Sequence, residues 1–314
     1  ILKNFYNMQN LRALVTGGTG YIGSHLVSRL HELDWAVDVI VRQGSIKPNQ
    51  WGLMGGLRVF EHDGSTPAMI NIIEESKPDL IFNLASIAKY EYSSGDVDQF
   101  IKSNILFPTQ ILEAMNVCGV KCIVNAETFW QYADGNASYK PTCLYAATKQ
   151  AFRDILCNFV ENNSFKAISL ILYDVYGPND PREKLVKLLG RYYSSDEELS
   201  MTKGEQIISM VHIKDVVSAF IRASSLLLKQ NEGTLRVYSV ASQGKLTLRH
   251  LIEEVIRKHN LRIKIKWGAK PYRDAEIMRP WVGELLPGWR PTISEIDEIG
   301  NLIASNLPLP STLR

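Results

Sequence analysis

The segment Thr16-Gly17-Gly18-Thr19-Gly20-Tyr21-Ile22-Gly23 restricts the possible folds more than any other part of this chain. It follows a short apolar run, Leu11 to Thr16, and leads into helical spacing through Ile22, Leu26, Val27 and Leu30. That order reads as strand, tight turn and helix. Gly17, Gly20 and Gly23 recur at every third residue, and each does something a side chain would obstruct. Gly17 permits the turn, Gly20 lets backbone reach a pyrophosphate, and Gly23 lets helix and strand pack closely. The amides and positive dipole of the helix N-terminus then favour an anion. A nicotinamide dinucleotide is therefore expected against Gly17, Thr19, Gly20, Tyr21, Ile22 and Gly23.

The rest of the first half keeps the same rhythm. Val37 to Val41 is continuous and β-branched, as a strand buried on both faces should be. Leu57 to Phe60, Leu80 to Leu84 and Lys121 to Asn125 read as further strands, with helices over Pro67 to Ser76 and Phe100 to Val117 between them. This alternation predicts an α/β, Rossmann-type doubly wound parallel sheet. Leu144 to Glu161 continues as helix and Ala167 to Tyr173 as strand, after which the pattern becomes irregular. Helices are expected at Leu185 to Tyr193, Ile213 to Leu228 and Leu248 to His259, with short strands at Val237 to Val240 and Ile263 to Trp267. We expect a dinucleotide-binding domain over residues 8–178 and a smaller mixed α/β substrate-binding lobe over 179–314. A stretch near 205–245 should return to the first domain.

Composition narrows the partners. With 314 residues, 22% charged and a net charge of +2, the chain has no field suited to nucleic acid, so small molecules are expected. No apolar run approaches the roughly 18 residues of a membrane helix, and the first ten residues lack a secretory apolar stretch. A cytoplasmic protein without membrane contact follows as the expectation, with Met8 a candidate start. Cys118, Cys122, Cys143 and Cys157 form no Cys-x-x-Cys pair, and no metal site is expected.

The end of the second strand usually separates the two nicotinamide cofactors, because an acidic residue there accepts hydrogen bonds from the ribose of NAD. Here it reads Val41-Arg42-Gln43-Gly44-Ser45, with no carboxylate. Arg42 can hold a 2′-phosphate with two parallel donors while Ser45 adds a hydroxyl, so NADP(H) is expected over NAD.

Tyr145 and Lys149 stand four apart at the start of a predicted helix and share one face. An ammonium beside a phenol favours the phenolate, moving an acid with a reference pKa of about 10 toward a useful range. Thr128, after a predicted strand, can place a hydroxyl beside that phenol. Thr128, Tyr145 and Lys149 are the candidate catalytic residues.

At this point the chain resembles an extended short-chain dehydrogenase/reductase of the nucleotide-sugar epimerase/dehydratase family. The likeness rests on the glycine loop, Asn83-Leu84-Ala85, Asn104, the Thr128, Tyr145 and Lys149 set, Val175-Tyr176-Gly177-Pro178 and Val211-His212-Ile213-Lys214-Asp215. It runs from about Leu11 to near Pro291. The resemblance implies that Tyr145 exchanges a proton with a sugar hydroxyl or ketone. It also implies that Lys149 holds the nicotinamide ribose and lowers the Tyr145 pKa, and that Thr128 hydrogen-bonds the reacting oxygen. Asp63 and Gly64 would contact the adenosine end, Leu84, Ala85 and Ser86 would run beneath the cofactor, and Asn104 would support the active site. A homodimer through the helices Phe100 to Val117 and Leu144 to Glu161 is implied as well.

Two departures refine the expected reaction. The family's sugar 4,6-dehydratases follow the threonine with Asp-Glu, the acid and base that eliminate water, whereas Thr128 is followed by Phe129-Trp130. Asp174 replaces an asparagine that touches the substrate's diphosphate, and its charge would repel that group. Phe129, Trp130, Asp174 and Arg279 are the candidate substrate contacts beside Thr128, with Tyr132 and Arg290 also considered. The stretches around Thr128, Tyr145 and Tyr176 are similar to the shorter branch that includes CDP-abequose and CDP-paratose synthases. That branch implies an NADPH-dependent 4-ketoreductase of a CDP-type 4-keto-deoxysugar in surface polysaccharide synthesis. An NAD-dependent nucleotide-sugar 4-epimerase is the alternative, and a non-catalytic dinucleotide-binding regulator a third.

Overall fold

The computed structural model describes residues 11–230 and 233–305. The leading ten residues, Met8 among them, and the last nine lie outside that range. Seven parallel strands form the central sheet: β1 (Arg12–Thr16), β2 (Ala36–Arg42), β3 (Arg58–His62), β4 (Leu80–Asn83), β5 (Cys122–Thr128), β6 (Lys166–Leu172) and, joining later, Thr234–Val240. The chain winds outward from β1 through β2 to β3, then returns to place β4 on the other side of β1. Ligands of doubly wound sheets bind where the strand order reverses in this way.

Helices cover both faces. These are α1 (Tyr21–Glu32), α2 (Thr66–Ser76), α3 (Val97–Ile101), α4 (Phe107–Cys118) and α5 (Leu144–Asn163). Alternation along β1 shows the two-sided burial: Ala13 and Val15 enter one apolar layer with Leu26, Val39 and Phe82, while Leu14 enters the other with Ile81, Met115 and Phe152. The Rossmann-type architecture expected from the glycine loop and the β-branched runs is the one observed.

A second assembly follows the sheet, built from β7 (Asp174–Tyr176), α6 (Leu185–Tyr193), β8 (Glu198–Ser200) and β9 (Met210–His212). The chain then adds α7 (Ile213–Leu227), β10 (the Thr234–Val240 strand), α8 (Leu248–His259), β11 (Lys264–Lys266) and α9 (Glu295–Ser305). Leu189, Leu199, Leu251, Ile252, Ile299 and Ile303 form its separate core. α7 packs on the sheet instead, through Val216, Phe220 and Leu227.

Three local features depart from the sequence expectation. β5 continues three residues past Asn125, because Ala126, Glu127 and Thr128 pair with Leu170, Ile171 and Leu172 of β6. The helix expected over 100–117 is interrupted by a π-turn at Lys102–Leu106, where the Phe107 N–H donates to Lys102 O. Pro108 explains it, since proline has no N–H to offer the carbonyl of residue 104 and its ring would strike that group. The strands β8 and β9 and the helix α9 were not expected from the sequence.

Candidate active site

The glycine loop closes against the end of β4. Gly17 has φ +70°, and a Cβ there would lie 2.7 Å from Ala85 N. A Cβ on Gly23 would come within 2.1 Å of Gly17 O, so the turn and α1 meet without space for any side chain. Thr16 fixes the approach from below, its Oγ1 accepting the Leu84 and Ala85 N–H groups at 3.1 Å each and donating to Asn83 Oδ1 at 3.1 Å. α1 begins at Gly20 with no side-chain cap and no acidic residue in its first turn. Its first amides and its dipole are left for an anion such as a pyrophosphate. Thr19, Tyr21 and Ile22 complete this rim, and the Tyr21 hydroxyl donates to Pro178 O at 3.2 Å across the crevice.

Arg42 ends β2, exposed, with no ion-pair partner among the described residues, and its carbonyl accepts the Ser45 N–H at 3.0 Å. Asp63 is also exposed. Its carboxylate accepts the Ser65 N–H at 2.7 Å, and bonding to Ser65 holds it below the ordinary carboxylate range. Gly64 follows with φ +98°, and its carbonyl accepts from Gln110 Nε2 at 2.8 Å, which ties this turn to α4.

The π-turn aims Asn104 inward. Its Oδ1 accepts from Ser86 Oγ at 3.1 Å and Ile87 N at 2.8 Å, while its Nδ2 donates to Thr148 Oγ1 at 2.9 Å. Asn104 thereby joins the loop that follows Ala85 to the helix that carries Tyr145. Ser86 and Thr128 stand beside the Tyr145 phenol, where both act to lower its pKa.

Tyr145 and Lys149 are buried together on α5, 9% and 3% exposed. Burial pushes the Tyr145 phenol up from its ordinary value, and the nearby Cys143 thiol acts in the same sense. Thr128, Ser86 and Arg182 act against this but do not overcome it. Burial also pushes the Lys149 ammonium down to about 8. The expected depression of the phenol by Lys149 is therefore not what this protein has: desolvation wins, and Tyr145 is a neutral acid across the ordinary pH range.

Thr128 is the last residue of β5. Its Oγ1 accepts the Trp130 N–H at 3.3 Å and its N–H donates to Gln131 Oε1 at 3.2 Å. Trp130 stands edge-on to the Tyr145 ring at 5.8 Å, and Phe129 stacks on Tyr173 at 5.2 Å. Tyr132 turns into the interior, where it meets Trp281.

Trp130 also lines a cavity of about 840 Å³ with Asp174, Tyr176, Pro178, Arg182, Lys184 and Arg273. Burial raises the Asp174 carboxyl, while Lys184, Arg182 and Arg273 oppose that shift. Asp174 is therefore not the isolated repulsive charge expected at this position: Lys184, Arg182 and Arg273 lie around it, with Arg182 itself paired to Asp180, which lines the same cavity together with Glu183. Arg279 is exposed and does not line the cavity; its carbonyl packs on the Gly135 turn. Arg290 is exposed too. Arg273 provides the guanidinium from that lobe, 4.7 Å above the Tyr90 ring. Sequence reasoning missed Arg182, Lys184 and Arg273. For Arg182 a signal existed, since it follows directly on Gly177-Pro178-Asn179-Asp180-Pro181.

Comparison with known proteins agrees with this geometry. The model of the NAD dependent epimerase/dehydratase family matches residues 13–241. The chain is 30% identical over 273 residues to a CDP-abequose synthase of Yersinia pseudotuberculosis, covering 86% of this chain and 92% of that protein. It is 24% identical to the dTDP-6-deoxy-L-talose 4-dehydrogenase (NAD(+)) of Aggregatibacter actinomycetemcomitans, over 86% of this chain and 99% of that one. Its fold resembles that of a UDP-glucose 4-epimerase from Thermotoga maritima, solved with UDP-glucose, at a TM-score of 0.79 and 23% identity. That match covers 94% of this chain and 98% of the other. The loop that excludes a Cβ at Gly17 and Gly23, the buried Tyr145 and Lys149 beside Thr128, and a family match over most of the chain lead to one conclusion: the chain belongs to the NAD dependent epimerase/dehydratase family and is an NAD(P)-dependent enzyme.

Proposed function

We propose that this enzyme is an NADPH-dependent 4-ketoreductase of a nucleotide-linked, CDP-type 4-keto-deoxysugar. The observation that carries the reading is Arg42, an exposed and unpaired guanidinium where an NAD enzyme places a carboxylate. It can grip a 2′-phosphate through two parallel donors, with Ser45 beside it. A reductase exchanges its cofactor at every turnover, whereas an epimerase retains NAD and returns the hydride. The likeness to CDP-abequose synthase supports the substrate class. Phe129 and Trp130, in place of an acid and a base, speak against elimination of water.

The loop fits a dinucleotide by its missing Cβ atoms and its uncapped helix start. Gly17 to Gly23, Arg42, Ser45, Asp63, Gly64 and Leu84 to Ser86 would hold it, and when bound, NADPH supplies the hydride. Tyr145, kept neutral by burial, gives its proton to the ketone oxygen. The Thr128 Oγ1 already accepts the Trp130 N–H, so its own O–H is left to donate to the same oxygen. Lys149 would hold the nicotinamide ribose, and Trp130 with Phe129 would shield the reacting carbon from water. Arg182, Lys184 and Arg273 meet the diphosphate around Asp174.

Fluorescence titration is expected to show tighter binding of NADPH than of NADH. Arg42→Ala should weaken NADPH roughly tenfold to a hundredfold and leave NADH nearly unchanged. Tighter binding of NADH would overturn the cofactor assignment. Screening CDP-, GDP-, dTDP- and UDP-linked 4-keto sugars for NADPH oxidation then tests the reaction. A purified protein that carries NAD and interconverts sugars with none added would be an epimerase instead.

The same reading includes a homodimer. Val97, Ile101, Leu106 and Val117 leave 37–57% of their surface exposed along α3, the π-turn and α4, a row of apolar side chains suited to a second copy. Light scattering is expected to give twice the chain mass, and Ile101→Glu with Leu106→Glu to give the single mass. A monomeric wild-type protein would remove this part of the proposal.

A further inference from the structure

Glu127 and Arg153 form a buried ion pair between the strand that ends in Thr128 and the helix that carries Tyr145. Glu127 is 1% exposed, in β5 immediately before Thr128. Arg153 lies one turn beyond Lys149 and two beyond Tyr145 on the same face of α5. Arg153 Nε donates to Glu127 Oε1 at 2.9 Å, Nη2 donates to Glu127 Oε2, and Nη1 donates to the Tyr132 hydroxyl at 2.6 Å. All three guanidinium nitrogens donate, and both partners are withdrawn from water, with side chains 15% and 0% exposed.

Burying two charges is expensive, and an apolar pair of the same volume often stabilises a fold as well or better. Such a pair makes sense where it fixes a position. Side chains alternate along β5, so Glu127 shares the α5 side of the strand with Ile123, and its tie to Arg153 anchors the strand against α5 just before Thr128, where β5 ends and the chain turns. Gln131 makes a parallel tie, its Nε2 donating to Gln150 Oε1 at 3.0 Å, one residue beyond Lys149. On the other side, Asn125 reaches Glu127 Oε1 at 3.5 Å and Asn83 reaches Asn125 at 2.9 Å. Asn83 in turn accepts from Thr16 at the foot of the glycine loop.

We propose that the Glu127–Arg153 pair is a positioning device that holds the end of β5 against α5 so that the Thr128 and Tyr145 hydroxyls meet. The proposal rests on Tyr145 as the proton donor of a ketone reduction. Neither residue touches the cofactor loop, and loss of the pair should act on the chemical step and leave dinucleotide binding intact.

The test compares Arg153→Met, Arg153→Lys and Glu127→Gln with the wild-type protein. With a 4-keto nucleotide sugar that the wild type reduces, kcat should fall about tenfold to a hundredfold in Arg153→Met. KM and NADPH affinity should stay within about twofold of wild type. Arg153→Lys, which keeps the charge but not the fork, should recover part of the loss. In a Thr128→Ala background, adding Arg153→Met should cost less than about twofold, because the residue it serves is gone. Amide exchange followed by mass spectrometry gives a readout that needs no substrate. Residues 128–132 should exchange about tenfold faster in Arg153→Met while the glycine loop is unchanged. Glu127→Gln repeats the test with a smaller perturbation if Arg153→Met does not fold. An unchanged kcat, an additive effect in the Thr128→Ala background, or unaltered exchange at 128–132 would overturn the proposal. Absence of any ketone reduction by the wild type would instead overturn the functional reading, and the exchange experiment would still decide the role of the pair.

Discussion

Tyr145→Phe is expected to lower kcat for ketone reduction about a thousandfold while leaving NADPH affinity within about twofold. The phenol is flanked by Thr128 and Ser86 at the edge of the Trp130 ring, and its burial keeps the proton on it. Removing the oxygen leaves the ring and its packing in place, and the thermal midpoint should hardly move. Most of the proposed dinucleotide contacts lie in the turns after β1, β2, β3 and β4, and Phe leaves Lys149 in place. The pH dependence follows from the direction of the shift. Burial raises the phenol, so the acid form required for reduction persists through neutral and mildly alkaline pH, and reduction should not decline there on account of Tyr145. The reverse oxidation needs the phenolate and should rise with pH over the same range. Unchanged turnover of an authentic substrate by Tyr145→Phe would return the chain to a dinucleotide-binding regulator without chemistry of its own.

Much of this site is legible in the sequence, for identifiable physical reasons. Parallel strands buried on both faces must be continuous apolar runs, and Ala36–Arg42 is one. A loop that permits no Cβ must be glycine, and Gly17 and Gly23 announce themselves. Tyr145 and Lys149 share a helix, so a spacing of four places them together without further knowledge. Arg153 has the same spacing, but its partner Glu127 comes from a strand whose register only the folded sheet sets. The π-turn that aims Asn104 is hidden because apolar periodicity runs straight through it, and only Pro108 hints at the break. The choice among arginines fails for a related reason. Arg273 and Arg279 lie in an irregular stretch without periodicity, and contacts with Tyr90 and with the Gly135 turn decide which faces the cavity. The electrostatic expectation for Tyr145 failed differently. Spacing shows that a cation is near, but the extent of desolvation depends on how Trp130 and its neighbours close over the phenol.

Lys149→Met is expected to abolish turnover and, at neutral pH, to make the protein more stable. Lys149 is 3% exposed, and burial lowers its ammonium from the ordinary 10.5 to about 8. A lowered pKa on a base means that the folded state binds the proton more weakly than the unfolded state does. Below about pH 8 both states carry the proton, and the full cost of burying the charge, about 3 kcal/mol, opposes folding. Between about 8 and 10.5 the folded protein releases the proton first, and that cost is recovered as pH rises. An apolar side chain of similar length never carries it. The thermal midpoint of Lys149→Met should therefore exceed that of the wild type by about 5 °C at pH 7, and the difference should shrink toward zero near pH 10. A midpoint that falls at pH 7 would mean that partners within the fold already compensate the ammonium. A gain that persists unchanged at pH 10 would mean that packing, not charge, produced it. If the expected pattern holds, the enzyme keeps a destabilising buried cation beside Tyr145 because a neutral residue there cannot hold the ribose of the cofactor, a separation of stability from activity that catalytic sites commonly show.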